Sequence, residues 1–347
     1  MVTVELFGVT KQGEEVLAYT ITSGACQATI LTYGAILNRL VVPDRNGNAT
    51  SVVLGYDDLA SYENNGGRLG AVIGRFANRI ANAIMTIDGV TYHLAQTEKT
   101  NSTHGGKIGF DRKVWQDVDC GKDYVELKLI SPDGDENYPG KLQVTVRYQL
   151  KDGALEIAYR ATTDKKTAVN LTNHAYFNLN GEGDGNILDH ELWIESDELA
   201  TPGPNITPEG GFYAVKGTPF DFNQPKLIGR DIGNDDDVLK KGNGYDHCMM
   251  LKNKCGEYVR YAVAKSAKTG IRMTCYTDQP AVQFYSGNGL HAQGRGCYYG
   301  AHAGFCLETQ EIPNNINVPE YAERGSSLLD AGEVYSFRSV YRFDTDK

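Results

Sequence analysis

The chain has 347 residues, of which 41% are hydrophobic and 22% are charged, and its formal net charge at pH 7 is −10. This composition is typical of a soluble globular protein rather than a disordered one, and no apolar run approaches the roughly 20 residues of a membrane span. Because negative charge disfavours nucleic acid and anionic membranes as partners, we expect a small ligand that is neutral or cationic.

Taken in chain order, the sequence predicts many short strands and few helices. Strands are predicted at 125–130, 142–150, 155–161, 192–194, 271–276 and 282–285, and short helices near 58–62 and 228–232. The two alternating segments from 142 to 161 form a predicted β-hairpin with one buried face, and the acidic cluster at 234–237 is predicted to be a solvated loop. Without βαβ alternation, repeats or linkers, the sequence predicts an all-β antiparallel sandwich in one domain, residues 1–347.

The N-terminus lacks the basic and apolar regions of a signal peptide. The seven cysteines are scattered along the chain without a C-x-x-C pair, which argues against both a disulfide framework and a zinc site. We therefore expect a cytoplasmic protein.

A polar run at 170–179 stands out among the strand patterns. If the run is extended, Asn170, Thr172, His174, Tyr176 and Asn178 share one face, because side chains alternate along a strand. Such a row is typical of a wet cleft, since each buried polar group would otherwise need its own partner. His174 titrates near neutral pH and suits an acid; the alternative for a lone histidine is a structural role.

A second candidate is Glu308, in the segment 305–310. An extended conformation places Phe305 and Leu307 on one face and Cys306, Glu308 and Gln310 on the other. Burial in an apolar strand raises the pKa of a carboxyl group and makes it a better general base. From the local sequence, an ion pair with an arginine at the sheet rim is an equally good interpretation.

Other polar segments contribute further candidates. Asn78 and Arg79 offer an amide and a guanidinium that suit a polyhydroxylated ligand or a carboxylate. His104 precedes two glycines that would let a ligand approach the backbone, and Asp246 can accept two hydrogen bonds from adjacent hydroxyls. The alternatives are an ion pair for Arg79, a turn histidine for His104 and a turn cap for Asp246. Gln283, between two apolar residues, signals little alone.

Cofactor motifs are missing from the sequence. The glycines at 287 and 289 lack the spacing of a dinucleotide-binding loop, and neither a phosphate-binding loop nor an H-E-x-x-H pair occurs. The seven histidines have no metal-ligand spacing. We therefore expect neither a metal nor a cofactor.

Five segments taken jointly resemble the galactose mutarotase (aldose 1-epimerase) family, and the resemblance covers nearly the whole chain. They are G-R-x-A-N-R-I at 74–80, H-G-G at 104–106, N-L-T-N-H-x-Y-F-N-L at 170–179, G-x-D-H at 244–247 and G-F-C-L-E-T-Q at 304–310. The resemblance implies a large antiparallel β-sandwich with its site in a cleft on one sheet.

By the same resemblance, Glu308 is the catalytic base, His174 the acid and His104 the second active-site histidine. The implied substrate-binding residues are Asn78, Arg79, Asp246 and Gln283, and the polar wall adds Tyr176. The implied activity is acid–base opening and closing of the sugar ring, which interconverts the anomers of D-galactose and of D-glucose in hexose metabolism without a cofactor. We expect a monomer or a weak homodimer.

Three other functions remain open from the sequence. A glycoside hydrolase needs two carboxylates, for which Asp246 is the available partner of Glu308. A sugar-binding module would keep Asp246 and Arg79 but has little use for an acid and a base together. An epimerase of hexose 6-phosphates needs additional cations around the cleft, where the motifs offer only Arg75 and Arg79.

Overall fold

A computed structural model of the protein describes residues 1–64, 67–253 and 256–346. Within these ranges there are two short α-helices, α1 (Leu59–Asn64) and α2 (Asp237–Lys241), and neither has the length and hydropathy needed to cross a membrane. Cys255 lies outside the described residues.

Nearly all other regular structure is extended. In chain order the strands are β1 (Val2–Val9), β2 (Glu15–Ser23), β3 (Cys26–Leu31), β4 (Leu37–Pro43), β5 (Ala49–Ser51), β6 (Val72–Ile73), β7 (Arg79–Ile80), β8 (Ile84–Ile87), β9 (Val90–His93), β10 (Ser102–Thr103), β11 (Gln116–Cys120), β12 (Tyr124–Ser131), β13 (Leu142–Lys151), β14 (Ala154–Thr163), β15 (Thr167–Ala168), β16 (Thr172–Asn173), β17 (Glu191–Ile194), β18 (Glu198–Pro202), β19 (Pro208–Ala214), β20 (Lys226–Leu227), β21 (Asp246–Met250), β22 (Val259–Lys265), β23 (Ile271–Thr277), β24 (Ala281–Tyr285), β25 (Ala292–Gln293), β26 (Tyr298–Tyr299), β27 (Cys306–Gln310), β28 (Leu328–Leu329) and β29 (Tyr335–Thr345). Short 3-10 helices lie between them at Ala81–Ala83, Phe110–Arg112, Asp135–Asn137, Pro204–Ile206, Ile228–Arg230, Asn315–Asn317 and Pro319–Glu323.

Three antiparallel sheets form the frame. The largest has nine strands in the order β11-β12-β13-β14-β29-β23-β22-β17-β20, one five-stranded sheet runs from β1 to β5, and the other has the order β19-β18-β21-β24-β27. The predicted hairpin is confirmed as β13 and β14, which pair along their full length. Its alternating buried and exposed positions are those of a strand with one face in the core.

The sheets pack face to face over a shared apolar core. One cluster of buried side chains draws Ile21 from β2, Tyr148 from β13 and Val282 from β24, one residue from each sheet. Two tyrosines also join the layers through hydrogen bonds, because the Tyr148 hydroxyl donates to Ala35 O (2.6 Å) and the Tyr341 hydroxyl donates to Leu307 O (3.2 Å). The predicted all-β sandwich is therefore confirmed.

The short helical elements agree less closely with the sequence prediction. A helix is confirmed near 58–62 as α1, whereas the segment 228–232 holds only the 3-10 turn Ile228–Arg230. The prediction that 234–237 is simply a solvated loop is wrong at its end. The carboxylate of Asp236 accepts from the amides of Val238 and Leu239 (both 2.9 Å) and so caps α2.

Arg75 points into the protein interior rather than toward solvent. Its side chain is 2% exposed. Its Nη1 donates to the carbonyls of Pro139 (2.9 Å) and Gly140 (2.8 Å), and its Nη2 donates to the hydroxyl of Ser131 (2.6 Å). The guanidinium thus joins the end of β12 to the loop before β13, and it fixes the segment before Asn78 and Arg79.

We expect Arg75→Met to lower the free energy of unfolding by about 3 kcal/mol, because the buried acceptors around the guanidinium lose their donor. Urea unfolding followed by circular dichroism measures this change. Arg272→Met, at an arginine that is 49% exposed, is the control and should change stability by less than about 0.5 kcal/mol. Equal effects of the two substitutions would contradict the interpretation.

Candidate active site

A polar cleft with a volume of about 620 Å³ opens over the sheet that contains β21, β24 and β27. The structure places seven of the predicted site residues on its wall: Asn78, Arg79, His104, His174, Tyr176, Asp246 and Glu308. Gln283 is the exception, because it lies behind Asp246. Its Nε2 donates to Asp246 Oδ1 at 2.6 Å, so it orients a wall residue from below.

Strand register places the central groups on one face of this sheet. Gln283 on β24 lies directly opposite Glu308 on β27, and Asp246 on β21 lies opposite Tyr285 on β24. Directly paired residues, and residues two apart on one strand, point to the same side of a sheet. The predicted alternation of 305–310 therefore holds, with Phe305 and Leu307 in the main core and Glu308 in the cleft.

His174 lies just after β16, which pairs with β6. Its amide donates to Ala71 O and its carbonyl accepts from Gly70 N, both at 2.9 Å. Its Nε2 lies 3.8 Å from Oε1 of Glu308. The backbone on both sides of the imidazole is thus held in place, and an acid and a base candidate stand side by side.

Burial shifts the pKa values of Glu308 and His174 in opposite directions. Desolvation, followed by the charge of Asp246, raises the pKa of Glu308 to about 8, against the opposing influence of Arg79 and Arg68. Desolvation, followed by the charge of Arg68, lowers the pKa of His174 to about 4. At pH values between these two, the pair holds one proton.

His104 and Asn78 are locked to each other by two hydrogen bonds. The pairing of β7 with β10 brings them together. The amide of Asn78 donates to His104 Nδ1 (3.2 Å), while the amide of His104 donates to Asn78 O (3.0 Å). Burial lowers the pKa of His104 well below its usual range. Because Nδ1 accepts, the neutral ring carries its proton on Nε2 and acts as a hydrogen-bond donor.

Arg79 and Asp246 form an ion pair on the cleft wall. The guanidinium contacts Glu98 through Nε (2.7 Å) and Nη2 (2.9 Å), and its Nη2 lies 3.4 Å from Asp246 Oδ2. The ion pair considered from the sequence is therefore present, yet both residues still line the cleft. Asp246 is thus held on the cleft wall by Arg79 and Gln283.

The predicted polar face of 170–179 is wrong at its ends. Only Thr172–Asn173 is a strand. Asn170 and Asn178 are fully buried, and their side-chain amides donate to Glu311 O (3.3 Å) and Ala303 O (3.0 Å). Both amides stabilise the backbone of neighbouring segments, and only His174 and Tyr176 of this run reach the cleft.

The two glycines after His104 are needed for a different purpose from the predicted one. A Cβ on Gly105 would lie 2.0 Å from Gly74 O, and one on Gly106 would lie 2.1 Å from a carboxylate oxygen of Glu136. The space that these glycines leave is filled by the protein itself, so they allow close packing of loops rather than approach of a ligand.

Among the wall residues that sequence reasoning missed are Arg68 and Tyr285. Arg68 Nε lies 3.4 Å from Asp111 Oδ2, and its charge acts on both His174 and Glu308. It lies in a loop without periodicity, so no pattern indicated it. Tyr285 had a usable signal, because it lies two residues beyond Gln283 in a predicted strand and must share its face.

Comparisons with known proteins agree with this architecture. The family model described as aldose 1-epimerase matches residues 18–342. The galactose mutarotase of Homo sapiens is 40% identical over 334 residues, covering 95% of each chain. The aldose 1-epimerase of Escherichia coli (strain K12) is 39% identical over 318 residues, covering 91% of each chain.

Solved structures give the same result. A galactose 1-epimerase from Lactobacillus acidophilus superposes with a TM-score of 0.87 at 26% identity, covering 100% of this chain and 99% of that one. An aldose epimerase homologue from C. elegans gives 0.85 at 28% identity, covering 94% of this chain and 98% of that one. The chain, which carries a buried histidine beside a buried glutamate in the cleft of an antiparallel β-sandwich, belongs to the aldose 1-epimerase family.

Proposed function

We propose that this aldose 1-epimerase interconverts the α and β anomers of D-galactose, and of D-glucose, with Glu308 as the base and His174 as the acid. The observation that carries the proposal is the 3.8 Å approach of His174 Nε2 to Glu308 Oε1 at the wall of a polar cleft. A base and an acid that share one proton suit a reaction that moves a proton between two oxygens of one molecule.

The proposed reaction opens and closes the sugar ring. Glu308 takes the proton of the C1 hydroxyl while His174 gives a proton to the ring oxygen, and the bond between C1 and the ring oxygen breaks. The open aldehyde turns about the bond between C1 and C2. Closure on the other face reverses both transfers, so the pair ends with the proton count with which it began.

The productive arrangement has the proton on His174 and the negative charge on Glu308. Hydrogen bonds from sugar hydroxyls to the carboxylate favour this arrangement, because they replace the water that Glu308 loses on burial. The Nε2–H of His104 and the guanidinium of Arg68 supply further positive charge where negative charge develops on oxygen. His104 stands close to the acid, with its ring centre 5.5 Å from that of His174.

The remaining wall residues hold the sugar. Asp246, Arg79 and Asn78 present acceptors and donors to ring hydroxyls from the cleft wall, and Gln283 fixes Asp246. Tyr176 and Tyr285 stand edge to face, 6.0 Å apart, beside His174. This rigid aromatic wall leaves C1 free to turn while the rest of the ring is bound.

We also infer one domain over residues 1–347, a cytoplasmic location, and a monomer or weak homodimer that acts in hexose metabolism. Support for one domain comes from the main core, in which Tyr19 and Phe343, near opposite ends of the chain, belong to the same cluster. A hydrolytic role for Asp246 is disfavoured because its two oxygens are already engaged by Gln283 and Arg79.

A hexose that carries a phosphate is a second candidate substrate, because the cleft has more cations than the motifs indicated. Arg68, Lys99 and Lys241 line it, while Arg75 does not. The ammonium groups of the two lysines contact the same short segment, residues 202–205. Lys99 Nζ donates to Asn205 Oδ1 (2.9 Å), and Lys241 Nζ donates to Pro202 O (2.7 Å). Both contacts are to neutral groups.

Anomer relaxation of glucose 6-phosphate, compared with that of glucose, tests this second candidate. We expect the neutral sugar to have the higher kcat/KM, since Asp246, Glu98 and Glu308 oppose the cations. The double variant Lys99→Met with Lys241→Met is the matched control. A phosphate preference of tenfold or more that this variant abolishes would favour the second candidate.

Glu308→Gln should lower kcat by roughly 10²- to 10⁴-fold, the usual contribution of a positioned base. The measurement follows the optical rotation of freshly dissolved α-D-galactose and α-D-glucose. Glu311→Gln is the matched control and should keep near wild-type activity, because Glu311 is also buried but lies off the cleft wall. Failure of the wild type to accelerate either sugar, or near wild-type rates with Glu308→Gln, would overturn the assignment.

The pH dependence follows from the shared proton. With the pKa of His174 lowered to about 4 and that of Glu308 raised to about 8, we expect kcat/KM to be level between these values. It should fall below the lower one, where both groups are protonated, and above the upper one, where neither is. Polarimetry corrected for buffer catalysis measures this, and a rate that keeps rising beyond pH 9 would show that His174 is not the acid.

A further inference from the structure

Three potential metal ligands meet at the wall of the cleft. Cys306 Sγ lies 3.5 Å from His174 Nδ1, and Glu308 Oε1 lies 3.8 Å from His174 Nε2. One ligand atom from each of the three residues lies within 4.8 Å of the others, and all three side chains are buried. The proposed ring opening uses the imidazole and the carboxylate but gives the thiol no part.

A second observation points to a ligand at the same place. Oε2 of Glu308 is buried, and among the described residues no hydrogen-bond partner lies within reach of it. The side chain is 2% exposed. A buried carboxylate oxygen without a donor is costly, and it is relieved either by a sugar hydroxyl or by a cation.

We propose that a thiophilic divalent cation of the Zn²⁺ class binds here through Cys306, Glu308 and one nitrogen of His174, and that this cation and the sugar exclude each other. Sulfur, imidazole and carboxylate donors together suit Zn²⁺ better than Ca²⁺ or Mg²⁺. Bonds of about 2.0–2.3 Å in a tetrahedral site require ligand atoms roughly 3.5 Å apart, which the thiol and the imidazole already satisfy.

The ligands are held in place before any ion arrives. Cys306 and Glu308 lie two residues apart on β27 and share one face, while the backbone of His174 is tied to Gly70 and Ala71. On binding, the thiol and the carboxyl group release their protons to solvent and the ion forms bonds to sulfur, nitrogen and oxygen. Three protein ligands leave a fourth position for water.

Burial beside Glu308 also decides which ions are able to compete. Cys306 is fully buried and must lose its thiol proton to bind a metal, so an ion must bind sulfur strongly to take the place of that proton. The neighbouring positive charges of Arg68 and Arg79 act against ions held by charge alone. We therefore expect Zn²⁺ and Cd²⁺ to bind and Mg²⁺ and Ca²⁺ not to bind.

Cadmium is the direct probe, because Cd²⁺ bound to a thiolate absorbs in the ultraviolet. We expect one equivalent of Cd²⁺ to produce this band in the full-length protein, and excess D-galactose to suppress it. Zn²⁺ should inhibit anomer relaxation competitively with the sugar, with recovery on addition of EDTA. A band insensitive to galactose, or inhibition by Zn²⁺ that galactose does not relieve, would overturn the proposal.

Two variants assign the ligands. Cys306→Ser should abolish the Cd²⁺ band and weaken inhibition by Zn²⁺ at least tenfold, and Glu308→Gln, which keeps the thiol, should weaken Cd²⁺ binding. Cys120→Ser is the matched control, since Cys120 is an exposed thiol that does not belong to the ligand set. A band that survives Cys306→Ser or disappears with Cys120→Ser would refute the site.

This inference rests on the site of the proposed function, but the two fail separately. Cd²⁺ binding is read without turnover, so a missing band in an active enzyme refutes the metal site alone. A normal band in a protein that does not accelerate anomer relaxation refutes the proposed function alone.

Discussion

The removal of one carboxyl group, Glu308, from water is the constraint on which the rest of the site depends. β27 is buried along its whole length, and burial is the first cause of the raised pKa of Glu308. A carboxylate in solution would be a weak base near neutral pH, whereas one with a pKa close to 8 holds its proton until a substrate rearranges the hydrogen bonds around it. The fold must therefore keep water out while it brings an acid within reach.

Backbone pairing meets this requirement. Two backbone hydrogen bonds join the segment that carries His174 to the segment that carries Glu308. The amide of Phe177 donates to Phe305 O (2.8 Å), and the amide of Phe305 donates to Phe177 O (3.0 Å). These bonds lie three residues beyond His174 and three before Glu308. The distance between the two groups is thus set mainly by the backbone rather than by side-chain rotamers, and the rings of Phe177 and Phe305 bury the junction in the main core.

The sequence was sufficient wherever burial alternates with strand period. The hairpin of β13 and β14 and the facing of Glu308 were both predictable, because a strand that packs one face on a core must repeat every second residue. The ends of the 170–179 run were not, because the backbone leaves the strand and turns Asn170 and Asn178 toward carbonyl groups. Arg68 faces the cleft, whereas Arg75 faces the interior. No periodic pattern in the sequence distinguishes these two orientations, because they depend on loop conformation alone.

The same physical features support both proposals for this site, the acid–base pair and the set of metal ligands. A base that is desolvated and lacks a partner for one oxygen gains from any group that approaches it with positive charge, whether a hydroxyl proton or a cation. The net charge of −10 draws cations toward the protein, while Arg68 and Arg79 oppose their entry into the cleft. The two arginines therefore repel ions that bind by charge alone. An ion that also forms a bond to sulfur gains binding free energy that this repulsion does not cancel. On this proposal, the thiol of Cys306 determines which cation competes with sugar.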